Sequence, residues 1–129
     1  MSPQRDMARF LIPGAAEEPI YREKAAEFVR YAQSGSVDKM LEITSALSNA
    51  TQTDSMRSLY ADQVVPEFKD TVVTWDSHSS GDIDERNNAG LMFTGTARGK
   101  KTFSFDIVVM KEDGKLVVIN IRKHHWYQR

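Results

Sequence analysis

The chain contains no cysteine, which removes disulfides, cysteine nucleophiles and zinc–thiolate centres from consideration. Net charge is nearly absent as well: 17 lysines and arginines stand against 18 acidic residues, a formal −1 with a pI near 6.3. Nucleic-acid-binding domains carry a basic footprint, and this chain has none. Long apolar runs are missing too. The N-terminal candidate, Phe10-Leu11-Ile12, stops at Pro13-Gly14, far short of the roughly 18 residues of a membrane-spanning helix. No spacing of ligating residues marks a metal site, and no glycine-rich loop marks a cofactor.

What remains is 129 residues with 40% hydrophobic content, which suits one domain built round one core. Residues 1–18 read as a flexible arm and 19–129 as the domain. Within the arm, Arg9 precedes a short apolar patch and the small residues Ala15 and Ala16, a pattern too brief for a working signal peptide. The default location is therefore cytoplasmic, with an exported mature domain as the alternative. Asn49-Ala50-Thr51 matches a glycosylation sequon, a motif that arises often by chance.

Pro19 suits the first turn of a helix, Glu17 and Glu18 suit the positive end of its dipole, and Tyr21, Ala25, Phe28, Val29 and Ala32 recur at helical spacing. Ser34-Gly35-Ser36 ends that helix, and Ser36 can cap a short second one with Val37, Met40, Leu41 and Thr44 in one stripe. A third helix starts near Thr53, Asp54 or Ser55, carries Met56, Leu59, Tyr60 and Val64, and is limited by Pro66. From Asp70 the period becomes two, with Val72, Thr74 and Asp76 on one side and Val73, Trp75 and Ser77 on the other. Residues 78–88 read as a polar connection.

Two glycine–lysine marks, Ala97-Arg98-Gly99-Lys100 and Glu112-Asp113-Gly114-Lys115, divide residues 89–127 into a three-stranded meander. Each is expected to form a three-residue loop closed by a left-handed glycine, which pairs Thr96 with Lys100 and Lys111 with Lys115. Phe93 then faces Phe103, Leu91 faces Phe105, and Val109, Ile107 and Phe105 face Val117, Ile119 and Ile121. One face becomes almost wholly apolar, whereas a two-residue turn at Asp113-Gly114 would set Ile107 against Asn120 and Phe105 against Arg122. A slip of one residue flips every side chain, so the apolar match selects the three-residue loop. The fold class is α+β: three N-terminal helices packed on a four-stranded antiparallel sheet that bends round them and buries one face.

Helices first, then strands ending in a meander, with Gly90-Leu91-Met92-Phe93, Phe103-Ser104-Phe105-Asp106-Ile107-Val108-Val109 and Asp113-Gly114-Lys115-Leu116-Val117-Val118, resembles the nuclear transport factor 2-like superfamily over residues 19–127. That resemblance implies a strongly bent, cone-shaped, cystatin-like sheet with a ligand site at its open end, between the first helix and the concave face. Members include isomerases, dehydratases, polyketide cyclases and transport factors, so the fold does not choose among functions. The residues placed at such a site are Tyr31, Tyr60, Trp75, Phe93, Phe105 and Ile119, with His78 and His124 near the rim. Ketosteroid isomerases of the superfamily combine a tyrosine with carboxylic acids in the pocket. In the expected register Asp106 turns to the other face, beside Asn120 and diagonal to Arg122, so no catalytic residue carries over.

His124 and His125 point to opposite faces of a strand and do not share a metal. Arg98, Lys100, Lys101, Lys111 and Lys115 keep the hairpin tips soluble. The outer face, with Met92, Thr94, Ser104, Val108, Met110, Leu116, Val118 and Asn120, is too apolar for plain solvent exposure. It is expected to form a two-fold homodimer centred on Val108, Met110 and Val118. The function that follows is a homodimeric domain binding a small apolar ligand or a partner protein. An isomerase, dehydratase or cyclase using Tyr31 or Tyr60 with His78 or His124 is the alternative.

Overall fold

Local sequence rules account for the first helix of the computed structural model, which describes residues 17–45, 54–82 and 89–124. Helix α1 (Glu18–Ser34) has its proline in the first turn, where an N–H has no helical partner, and buries Tyr21, Ala25, Phe28, Val29 and Ala32. Gly35 ends it at φ 74°; its N–H donates to the Ala32 carbonyl, and the Ser36 N–H donates to the Tyr31 carbonyl at 2.9 Å. Helix α2 (Val37–Glu42) buries Met40 and Leu41. Ser36 stands at its N-cap, but the hydroxyl lies 2.9 Å from that of Ser34 and makes no capping bond.

Helix α3 (54–68) runs past the proline expected to limit it. Its middle, Tyr60–Val64, is a π-helical stretch, and Val65–Phe68 closes it as an α turn with Pro66 near its start. In an unbroken α ladder Pro66 would lack a bond to Asp62 and its ring would press on that carbonyl. The widened π turn resets the ladder just before the ring, and the helix continues. Its last residue, Phe68, is thereby delivered to the core.

The strands are β1 (Val72–Asp82), β2 (Ala89–Arg98), β3 (Thr102–Glu112) and β4 (Lys115–Lys123), antiparallel in the order β1-β2-β3-β4. The α+β class and the order of helices before strands agree with the sequence. The first strand is longer than expected: the backbone from His78 to Asp82 pairs with Phe93 back to Ala89, because ladder bonds are made by the main chain whatever the side chains. Val72↔Arg98 through Trp75↔Gly95 is one register and Ser77↔Thr94 begins another, which leaves Asp76 as a bulge residue.

Both hairpins differ from the expected loops. In the first, Arg98 pairs with Thr102 across Gly99-Lys100-Lys101, and Gly99 is not left-handed. Phe93 therefore faces Ile107 and Leu91 faces Val109, not Phe103 and Phe105. The partner has moved by an even number of residues, so the inward face is unchanged. Side-chain size explains the choice: Phe105 sits opposite Gly95 and Phe103 opposite Ala97, large against small. A Cβ on Gly95 would come within 2.8 Å of the Phe105 ring and 3.1 Å of the Thr74 carbonyl oxygen.

In the second hairpin Glu112 pairs with Lys115 across Asp113-Gly114, with φ of 51° and 80°, the signs required by a two-residue type I′ turn. The polar scatter that argued against this turn is avoided by a bulge. Val109 pairs with Val118, the next pair is Val108 with Asn120, and Ile119 is the extra residue; Ile107 then faces Ile121. Val118 is consequently a core residue, 1% exposed, and Leu116 also packs inward. Val117, expected inside, pairs with Met110; both are buried, but on the other face of the strands and apart from the main core cluster. The free edge of β4 is taken at the bulge: the Val118 N–H donates to the Ile43 carbonyl at 2.8 Å, and the Ser45 N–H donates to the Val118 carbonyl at 2.9 Å.

The core lies between α1, α3 and the inner sheet face, with Phe28, Tyr60, Phe93, Phe105 and Ile107 among its most buried side chains. Its five-ring part is edge-on: Phe68 lies 4.9 Å from Phe105 and 5.3 Å from Phe103, and Trp75 lies 5.6 Å from Phe105 and 6.2 Å from Phe93. Because Phe105 is held on several sides, it has little room to yield to a new methyl group. Gly95→Ala is expected to lower stability by about 1–3 kcal/mol, read as a drop in the urea midpoint; an unchanged midpoint would show that the ring moves freely.

Candidate functional site

The six residues expected at a ligand site are not brought together. Trp75, Phe93 and Phe105 share the aromatic cluster. Tyr60, 2% exposed, is in the core with its ring edge-on to Phe28 at 5.3 Å. The Thr44 hydroxyl donates to the Met40 carbonyl at 2.8 Å, so across its 2.8 Å contact with Tyr60 it accepts the phenol proton. Burial pushes the Tyr60 phenol above its ordinary pKa. Tyr31 lies on α1, half-buried, and donates to Glu27 at 2.8 Å; this bond to a carboxylate raises its pKa. Ile119 is the half-buried bulge residue of β4 and is not among the side chains packed on the core. The backbone of His78 pairs with Phe93, while its side chain and all of His125 lie outside the described residues.

The space between α1 and the sheet is filled by side chains. An open cleft lies elsewhere, between the end of α3 and strands β3 and β4. It encloses about 580 Å³ over a floor that includes Phe68, Phe103, Phe105 and Ile121. That volume is in the range of small-molecule sites. The π turn and Pro66 form one wall, and Glu67 on α3 pairs with Lys123 on β4 across the rim. The Lys123 ammonium also stands 5.5 Å from the centre of the Phe103 ring. A second recess of about 340 Å³ shares Pro66, Glu67, Phe103 and Lys123 with the first and adds Lys69, Asp70, Lys100 and Lys101. Of the six expected residues only Phe105 lines this cleft. Phe68 was the missed signal, four residues after Val64 on the helical stripe and hidden by reading Pro66 as a stop.

The opposite sheet face holds a different constellation. Asp106 does turn outward, as the sequence implied, but it is only 6% exposed and sits directly opposite Arg122. Thr94 donates to one carboxylate oxygen at 2.8 Å; Arg122 reaches the other at 3.2 Å, and His124 Nε2 lies 2.7 Å from that same oxygen. The His124 N–H donates to the Ser104 carbonyl at 2.9 Å, which fixes its backbone beside β3. Burial alone would raise the Asp106 pKa; the bonds from His124, Thr94 and Arg122 outweigh it and hold the carboxyl below the usual range. It is therefore an ionised acceptor joining β2, β3 and β4, and not an acid poised to give up a proton near neutral pH. Among the described residues no group of three His, Asp or Glu is arranged to hold a metal ion.

Comparison of the chain with protein-family models, with curated proteins and with solved structures finds no match.

A folded-state pKa below the unfolded value, about 3.9 for aspartate, adds stability that is present above that value and is lost as pH falls through the folded one. Asp106→Asn should therefore lower stability at pH 7 by about 1–3 kcal/mol, and the gap to the parent should close in acid. Denaturation curves at neutral and acid pH measure it; an equal gap at both would show that the carboxylate charge contributes nothing.

Proposed function

We propose that this domain binds a small, largely apolar ligand in the cleft between α3 and strands β3 and β4, and that it binds without turning it over. The observation that carries this reading is the cleft itself: about 580 Å³ of open space whose lining includes the apolar side chains of Leu59, Pro66, Phe103 and Ile121. The pattern of polar groups supports binding over catalysis. Glu67 and Lys123 at the rim are engaged with each other, and the tyrosine hydroxyls considered for proton transfer are bonded to Glu27 and Thr44. A general acid or base works through an ionisable group directed at substrate; those groups are committed to other partners, Arg122 on the same lining is bonded to Asp106, and Asp62 is the lining carboxylate with no bond to a described residue.

The same reading retains the nuclear transport factor 2-like cone as the architecture. Two bulges, at Asp76 and at Ile119, and a glycine opposite Phe105 supply the places where long strands bend. In this cone the ligand enters beside α3 and the last two strands, and not between α1 and the sheet.

Calorimetric titration with 2-naphthol tests the reading. Saturable binding is expected, weakened about tenfold by Leu59→Asn, which puts an amide on the cleft wall. No saturable heat, or binding untouched by that substitution, rejects it.

The outer sheet face is assigned to a second copy of the chain. Of the expected centre, Val118 belongs to the core and Met110 is already buried within the chain, so the half-buried Met92 and Val108 stand at the centre instead. Sedimentation should show a dimer for the parent and a monomer for Val108→Arg, because a buried unpaired charge is strongly disfavoured at an interface. A parent chain that sediments as a monomer at high concentration excludes this assignment.

A further inference from the structure

The cleft has a chemically marked end. Its second recess is lined by four lysines, Lys69, Lys100, Lys101 and Lys123, against the two carboxylates Glu67 and Asp70. Lys123 is paired with Glu67, whereas Lys69, Lys100 and Lys101 form no ion pair with a described residue. Solubility of a hairpin tip would account for lysines that point anywhere. Here the backbone that carries them is held in place. The tip Gly99-Lys100-Lys101 lies against the turn after α3, so close that a Cβ on Gly99 would be 3.0 Å from the Asp70 carbonyl oxygen and 3.1 Å from the Thr71 methyl. That turn is itself pinned: Gln33 on α1 donates to the Thr71 carbonyl at 2.8 Å, and the Thr71 hydroxyl donates to the Phe68 carbonyl at 2.6 Å. Two elements distant in sequence thus hold cations without an ion pair among the described residues at one end of an apolar floor, with Phe103 lining both spaces.

We infer that the ligand of this cleft is a small amphipathic carboxylate, its ring or chain lying on the accessible apolar lining of Leu59, Pro66 and Ile121 and its carboxylate facing Lys100 and Lys101. This rests on the binding role proposed for the cleft and adds the charge and orientation of the ligand. A carboxylate matches the excess of two positive charges in the recess, and a lysine ammonium serves as a point charge that needs no fixed fork of donors. A neutral ligand would leave the lysines solvated and gain nothing from them. A polyanion such as a nucleic acid would meet a chain of net charge −1 beyond the recess.

The full-length protein is titrated by calorimetry at pH 7 with 2-naphthoate, which is ionised, and with 2-naphthol, which is neutral, at low and at high salt. Naphthoate should bind about tenfold more tightly at low salt, and the margin should shrink as salt screens the lysines. In the double variant Lys100→Gln, Lys101→Gln the naphthoate affinity should fall about tenfold to the naphthol level, while naphthol is unaffected and so reports an intact fold. Equal affinities in the parent, or a naphthoate preference that survives the double substitution, would overturn the inference and leave the binding role standing. Binding of neither compound would remove both.

Discussion

The ring of Phe105 occupies the space that a side chain on Gly95 would need, and most of the sheet's geometry is fixed by that contact. With Phe105 opposite Gly95, the register of β2 and β3 follows to the end of both strands, and the hairpin tip falls at Gly99-Lys100-Lys101. The same ring receives Phe68 from α3 and Trp75 from β1 edge to face, and Phe103 from its own strand at a tilt. One aromatic side chain therefore coordinates a helix and three strands. The cleft is a consequence: α3 is anchored to the sheet by Phe68 at its end and to α1 by Tyr60 near its middle, and the space between Phe68 and β4 stays open.

At the far end of the sheet the controlling constraint is parity. A type I′ turn at Asp113-Gly114 suits the twist of the strands, but alone it would direct Arg122 and Asn120 inward. The bulge at Ile119 inserts one residue and restores Ile121 to the inner face. A bulge also distorts the ladder, and here the segment Ile43–Ser45 joins the free edge of β4 through the N–H and carbonyl of Val118. Thr44, between those two contacts, is bonded to Met40 and Tyr60. The correction of the strand and the attachment of the helices are thus made at the same residue.

These arrangements explain which parts of the molecule are legible in its sequence. Helix α1 is, because its stripe, its proline and Gly35 are local signals that nothing distant opposes. The inward set on β3 is legible too, since the hairpin moves by an even number of residues and preserves the faces; this is why Asp106 could be assigned to the outer side. The exact partners are not legible, because they depend on Phe105 finding the smallest residue across the strand, a match of sizes between residues far apart in sequence. Pro66 misleads for a similar reason. Read locally it stops a helix, and only the π turn before it, stabilised by burial of Tyr60, Val64 and Phe68, lets the helix pass. The burial of Asp106 was invisible because it depends on His124, which lies just beyond the last paired residue of β4 and returns to bond Ser104.

Charge is partitioned between the two sides of the sheet, and this separates stability from recognition. On the outer face Asp106 is saturated by a hydroxyl, a guanidinium and an imidazole; a ligand arriving there would have to break bonds already made. At the cleft, Glu67 and Lys123 satisfy each other across the rim, but the lysines of the hairpin tip stand beside the apolar floor in a recess with two more cations than anions, forming no ion pair with a described residue. Exposed ion pairs contribute little to stability, about 0–1 kcal/mol, so pairing these lysines within the chain would have added little to the fold. Left without such a pair among the described residues, on a backbone held by the close approach of Gly99 to Asp70 and Thr71, they form a charged end to an otherwise apolar surface. The Phe105–Gly95 contact that sets the register also sets where that end lies, since shifting the hairpin would carry Lys100 and Lys101 away from Phe103. The contact that organises the core and the orientation of any bound anion are in this way one constraint.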